Sequence, residues 1–510
     1  MSVSLFDRGP FAPCPAPFNM ARHTFEAGRA TPDRIALEVA RAPGEIVETW
    51  THGALRETVL RAAGGLAARG LTRGDRVLLR LGNVSDFPIL FFATNALGAV
   101  PVPVSGQLTA REVAGIVADL EPRFACVGAG FEPAEGTAMI GPGEIAALRD
   151  APPADFAGTA PDDPAFVVYT SGTGGRPKGV VLAQRAAWAR RMMWEGWYGL
   201  TPEDRVLHAG AFNWTFTLGA GLTDPWARGA RALLYSGPPD RAVWPALAAA
   251  HGATIFAGTP GVYRQMLGAK ADLTGFARLR HGLSAGEALP AAVARAWTEA
   301  TGKPIYEALG MSEISTYISF SPNSPPVPGR AGRPQPGRRV AVLADDGEEP
   351  VPRGVPGLLA VSRRDPGLML GYWRRPEETA AVFRGEWFVT GDRATLHEDD
   401  TLEYLGRADD LMNAGGFRVS PAEVEAALLD HPGVAEAAAV AEPARPGVEI
   451  IAAYYVPVTD PVPDADLAAH CAARLARYKC PRRFVAVDAL PRNAAGKLVR
   501  RALRRGETGD

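Results

Sequence analysis

From Val167 to Val181 the chain reads VVYTSGTGGRPKGVV. Two β-branched runs flank a loop that carries four glycines, Thr170, Ser171, Thr173 and Lys178. Glycines let successive backbone N–H groups turn toward one point, and such a nest attracts anions. The stretch is not the Walker loop G-x-x-x-x-G-K-[ST], whose lysine is followed by a magnesium-binding hydroxyl. Here Lys178 sits between Pro177 and Gly179. It reads as a phosphate cradle leaving a hydrophobic strand, and the rest of the chain has to say which phosphate it serves.

The 510 residues are 47% hydrophobic and 22% charged, as expected of a folded chain with two or more domains. Net charge is −2 and no basic stripe is visible, which argues against a nucleic-acid partner. The C-terminal RRALRR reads as a solvated helix face. No apolar run has the length of a membrane span. The opening MSVSLFDRGPFAPCPAP lacks the basic-then-apolar order of a secretory signal. Four cysteines, Cys14, Cys126, Cys471 and Cys480, show no metal-ligand spacing and fit a reducing cytoplasm. Of 54 basic residues only Lys178, Lys270, Lys303, Lys479 and Lys497 are lysine. In so arginine-rich a chain, a retained lysine points to a need for a compact, mobile ammonium.

Between Trp50 and Met311, short apolar runs alternate with helical patterns. DRVLLRLG, VPVPVS, FACVGAG, AFVVYTS, RVLHAGAF, RALLYSG and ATIFAGTP read as strands and DFPILFFATNALGA as a buried helix. That alternation predicts helix-covered, mainly parallel sheets in an α/β domain. Ligands then gather beyond the carboxyl ends of the strands, where the cradle, Gly258–Pro260 and Ser284–Glu287 are expected. After Ser321 a Pro/Gly/Arg-rich loop leads into antiparallel-looking segments, a β-rich subdomain. The last hundred residues read as a small α+β domain, with Ser420-Pro421-Ala422-Glu423 as an N-cap and capping box.

Five stretches occur in order: the cradle, YEALGMSE (Tyr306–Glu313), FVTGDRA (Phe388–Ala394), GRADDLMNAGGFRVSPAEVE (Gly406–Glu425) and LPRNAAGKLVRR (Leu490–Arg501). Together they resemble the adenylate-forming superfamily of acyl- and aryl-CoA synthetases, luciferases and peptide-synthetase adenylation domains, over nearly the whole chain. The resemblance implies a domain of residues 1–408 that binds ATP and the acyl group, and a mobile C-terminal domain of residues 409–510 hinged at Asp409. It implies that Thr170, Ser171, Gly172, Thr173, Gly174 and Lys178 hold the departing phosphates. Gly286, Glu287 and Ala288 fall in the adenine-side loop. Ser312 would donate to the α-phosphate, Glu313 would hold Mg²⁺, and Asp392 would accept from both ribose hydroxyls, as an ionised carboxylate can. Arg407 and Arg418 would reach the ribose and phosphates. Lys497 would bridge the substrate carboxylate and the α-phosphate, where a cation counts most in the transition state. Gly415, Gly416 and Phe417 would line the pantetheine tunnel of CoA.

The chain departs from the family's usual pattern at Gly174, where a second threonine is expected, and at Leu309, Ser312 and Asn413. None of these changes removes a catalytic group. Trp214 falls at the acyl gate, with Thr215, Phe216, Leu309, Gly310 and Thr316 as further acyl-pocket candidates. No basic residue stands out there for a second substrate carboxylate. The expectation is a ligase of CoA with an aryl or small-to-medium acyl acid, with ATP and CoA as co-substrates. A loader of a separate carrier protein and an inactive nucleotide sensor are the alternatives, and oligomeric state is left open.

Overall fold

The computed structural model describes residues 2–170, 177–269, 271–408, 412–414, 417–445, 448–475, 477–492 and 498–504. Ser171, Gly172, Thr173, Gly174, Asp409, Gly415, Gly416 and Lys497 lie outside the described residues, and Phe417 and Arg418 are described through their backbone.

A nine-stranded sheet forms the middle of the large domain. Its strands Arg205–His208, Arg231–Tyr235, Ile255–Gly258, His281–Ala285 and Ile305–Met311 run parallel, joined on one side by Ile35–Ala42. Parallel neighbours need a crossover, and helices Val243–His251, Pro260–Gly268 and Ala291–Thr301 supply it. Antiparallel strands finish both edges: Glu45–Thr51 at one, Ser315–Ser319 and then Arg333–Pro334 at the other. A second, all-parallel sheet joins Val100–Pro103, Arg76–Arg80, Phe124–Val127 and Met139–Ile140. Helix Asp86–Ala96 is buried along its whole length from Phe87, as its apolar circumference requires. Six antiparallel strands make the β-rich subdomain, among them Arg339–Leu343, Gly357–Ser362, Trp387–Leu396 and Leu402–Arg407.

The cradle departs from expectation. Its strand Pro164–Thr170 does not stand in a parallel sheet but pairs antiparallel with Lys178–Ala183, with Thr170 opposite Lys178. Both arms are β-branched and buried, and the linker is too short for a crossover, so the chain folds straight back on itself. The two strands that flank the phosphate loop are therefore antiparallel partners.

The small domain has its own core of Val424, Leu428, Ile451, Ala453, Tyr455 and Leu467. Strands Val434–Arg445 and Val448–Pro457 pair antiparallel, and Arg483–Ala486 joins them in parallel. Helix Pro421–Leu429 starts where the sequence predicts, but the capping box does not form. The Ser420 hydroxyl donates to the carbonyl of Leu405, and Glu423 pairs instead with Lys479. No helix among the described residues is long and apolar enough to cross a membrane.

Candidate active site

The lysine at the base of the cradle faces two groups that the sequence reading did not single out. Lys178, 28% exposed, forms an ion pair with Glu378 on helix Pro376–Ala381, and its ammonium lies 5.2 Å from the centre of the Tyr372 ring. Tyr372 is held there because Gly371–Tyr372 adds a short strand to Lys178–Ala183, placing Tyr372 opposite Val180. Its hydroxyl donates to Glu313 Oε1 at 2.8 Å. Burial, then the Glu313 charge, push the Tyr372 pKa far above the phenol range, so it remains a donor. On the cradle's other arm, Thr170 Oγ1 lies 3.5 Å from the Lys178 carbonyl, a marginal contact.

Glu313 sits on a three-residue turn, Ser312 to Ile314, between the antiparallel strands Ile305–Met311 and Ser315–Ser319. The turn is fixed by Met369, whose N–H donates to the Glu313 carbonyl at 2.7 Å. Ser312 is partly exposed beside it. Glu313 is only 9% exposed, and among the described residues no hydrogen bond reaches its Oε2. A hard cation would find one carboxylate oxygen there. No group of three or more His, Cys, Asp or Glu among the described residues could hold a metal alone. That donor set fits Mg²⁺, which keeps water and phosphate oxygens and takes one or two carboxylates from a protein.

Asp392, 6% exposed, and Arg407 are direct cross-strand partners. Arg407 Nη1 donates to the Thr390 carbonyl at 2.8 Å and lies 3.6 Å from Asp392 Oδ1, to which the Tyr404 hydroxyl also donates at 3.2 Å. Between them Gly391 has φ +76°, and a Cβ there would come within 2.8 Å of Arg407 Nη2. Arg407 is close enough for its charge to act on both Tyr317 and Tyr372, which links this pair to the Glu313 hairpin. Arg418 lies on strand Phe417–Val419, opposite Asn413.

Gly286, Glu287 and Ala288 follow strand His281–Ala285. Gly286 has φ +102°, and a Cβ on it would sit 2.9 Å from Cη2 of Trp214, so the acyl-gate candidate packs on the adenine-side loop. Trp214 meets Phe216 edge-on at 5.6 Å, but Phe216 turns away into a cluster with Trp197 and His208. Burial lowers the His208 pKa to about 3, leaving that ring neutral. Thr316 Oγ1 contacts Met193 Sδ at 3.1 Å, and Thr316 stands opposite Gly310. Leu309 packs partly buried against the large core. Thr215 shares a small internal cavity with Met193, Ser315 and Arg190. The sequence reading named no basic residue for this region. Arg190 is one, but Asp224 accepts three of its hydrogen bonds and neutralises it, while Arg190 Nη1 donates to Ser315 Oγ at 2.6 Å.

Glu307, between the adenine-side loop and the Glu313 turn, was also missed. It stands opposite Ser284 and accepts from the Leu289 N–H at 2.8 Å. Although part of its surface reaches solvent, the dense protein around it pushes its carboxyl up to about 8. For Tyr372 and Glu378 the available signal was the run GYWRRPEET, in which two aromatics after a glycine precede a proline-started helix.

The fold and this arrangement define a nucleotide-dependent acid-activating enzyme, and comparison with known proteins places it in a family. Residues 24–373 match the family described as AMP-binding enzyme, and residues 423–497 match the AMP-binding enzyme C-terminal domain. The chain belongs to the AMP-binding enzyme family. It is 31% identical over 481 residues to a 3-hydroxybenzoate–CoA ligase of Aromatoleum sp. (strain CIB), covering 89% of this chain and 91% of that protein. It is 34% identical over 509 residues to a benzoate–CoA ligase of Thauera aromatica, covering 94% and 91%. The crystal structure of an anthranilate CoA ligase in complex with anthranoyl-AMP superposes with a TM-score of 0.88 at 28% identity, over 97% of this chain and 98% of that one.

Proposed function

We propose that the protein is an ATP-dependent aryl-CoA ligase. In the first half-reaction a carboxylate oxygen of an aromatic acid attacks the α-phosphorus of ATP and pyrophosphate leaves. In the second, the CoA thiol attacks the carbonyl carbon of the aryl-adenylate and AMP leaves. The observation that carries this reading is the Lys178–Tyr372–Glu313 chain, which couples the phosphate cradle to the turn bearing the magnesium carboxylate, together with the near relatives' aromatic acids. Mg²⁺ at Glu313 would supply charge neutralisation for the phosphates.

The remaining roles belong to the same proposal. Asp392 accepts from the ribose hydroxyls, with Arg407 steadying it. Lys497 attends the first half-reaction, and residues 409–510 then turn about Asp409 to bring Gly415, Gly416 and Phe417 to the thiol's approach. Trp214, Thr215, Leu309, Gly310 and Thr316 bound the acyl group, whereas the inward turn of Phe216 suits a supporting place behind Trp214. A cytoplasmic setting accords with the four cysteine thiols, of which Cys14 and Cys126 are pushed up to about 12 by burial. The test is a panel of substituted benzoates and short acyl acids scored by pyrophosphate release, with and without CoA. Stoichiometric aryl-CoA thioester is expected. Pyrophosphate release with thioester only on an added carrier protein would replace this reading with the loader, and binding of ATP without turnover would replace it with the sensor.

A further inference from the structure

Four side chains of alternating charge run across the junction between the two domains. Arg264, on helix Pro260–Gly268 of the large domain, pairs with Glu436 Oε1 at 3.0 Å. Glu436, on strand Val434–Arg445 of the small domain, accepts through Oε2 from Arg492 Nη2 at 2.9 Å. Arg492 Nη1 then donates to Glu287 Oε2 at 3.3 Å, back on the large domain. Two of the three contacts therefore cross the junction in opposite senses. The ends also approach each other: a point one Cβ above Gly261 lies 3.6 Å from Glu287 Oε1 and 3.9 Å from Arg264 Nη2. All four side chains are 23–28% exposed, so the row is partly desolvated, and each charge has an opposite neighbour.

The positions of its members give the row a consequence. Glu287 belongs to the loop against which Trp214 packs, and Arg492 precedes the segment that ends in Lys497. We propose that Arg264–Glu436–Arg492–Glu287 is a latch that holds the small domain in the orientation of the adenylation half-reaction and opens before the thiol can attack. Arg264 and Glu436 act as positioning residues, since neither lies among the residues assigned to substrate. The inference rests on the two-step reaction proposed above. Partly exposed ion pairs are individually weak, so the row biases an orientation that a domain rotation can still release.

The experiment measures the half-reactions separately in Arg264→Ala and Glu436→Gln, with Arg264→Lys as the conservative variant. Adenylation is followed as pyrophosphate release from acid and ATP without CoA; thioester formation is followed from supplied aryl-adenylate and CoA. The first two variants are expected to slow adenylation roughly three- to fivefold, the scale of one such pair, without slowing thioester formation. Arg264→Lys should recover most of the loss, and rising salt should slow the wild type in the first step only. Equal slowing of both steps, or no change in either, overturns the latch while leaving the ligase reading intact. A wild type that makes no adenylate from any acid overturns that reading and the latch with it.

Discussion

The Tyr372 hydroxyl donates to Glu313 Oε1 at 2.8 Å, while the same tyrosine's ring lies 5.2 Å from the Lys178 ammonium. One side chain thus fixes a carboxylate suited to a cation and flanks a cation suited to phosphate. Three segments far apart in sequence meet in it: the cradle hairpin, the Ser312–Ile314 turn and the strand Gly371–Tyr372.

Tyr372→Phe keeps the ring and removes only the hydroxyl. Groups that orient a metal-binding carboxylate are worth roughly 10- to 100-fold in metal affinity or activity. The variant should need at least tenfold more Mg²⁺ for half-maximal adenylation, with thermal stability little changed. Titration of the rate with Mg²⁺ decides it, and an unchanged Mg²⁺ requirement would remove Tyr372 from the site.

Asp392→Ala takes away the acceptor beside Arg407. A hydrogen bond to a charged group contributes about 1.5–3 kcal/mol, which corresponds to roughly a 10- to 100-fold rise in the KM for ATP. The KM for the acid should move far less. Equal increases in both constants would show a general collapse of the site instead.

Much of the scaffold is readable from residue pattern alone, because short apolar runs such as Arg231–Tyr235 and Ile255–Gly258 have few other ways to be buried. The hairpin at the cradle was not readable. A glycine-rich loop between two apolar runs has the same local sequence whether the second run crosses over or folds back, and the choice is made by partners such as Gly371–Tyr372, almost two hundred residues on. The site divides in the same way. Glu313, Asp392 and Glu287 stand in recognisable strings, whereas Tyr372, Glu378, Arg190, Arg264 and Glu436 acquire meaning only through long-range contacts. In sequence, each is one more arginine, glutamate or tyrosine.

Glu307 gives a pH signature. Its carboxyl is raised to about 8, so the folded chain binds its proton more tightly than the unfolded chain does. That contribution to stability is complete below the ordinary carboxyl range and is lost as pH rises toward 8. The melting temperature of the wild type should therefore fall relative to Glu307→Gln between about pH 5 and pH 8 and run parallel to it above. Parallel curves throughout would show that Glu307 is not perturbed.

Gly286→Ala should be costly out of proportion to one methyl group. The position has φ +102°, and the new Cβ would press on the Trp214 ring at 2.9 Å. Strain of this kind costs about 1–3 kcal/mol. The variant should melt several degrees lower and lose activity, and Trp214→Phe, which shortens the opposing ring, should restore part of both. If Gly286→Ala matches the wild type in stability, Trp214 does not pack on this loop.

The central claim is that the acid is activated as an adenylate, and the fate of oxygen tests it most directly. Benzoate or a substituted benzoate labelled with ¹⁸O in both carboxylate positions is turned over with ATP and CoA, and the products are weighed by mass spectrometry. Attack of a carboxylate oxygen on the α-phosphorus, followed by thiol attack at the carbonyl, leaves one label in AMP and one in the thioester. Unlabelled AMP, or label recovered in inorganic phosphate or pyrophosphate, would contradict the account.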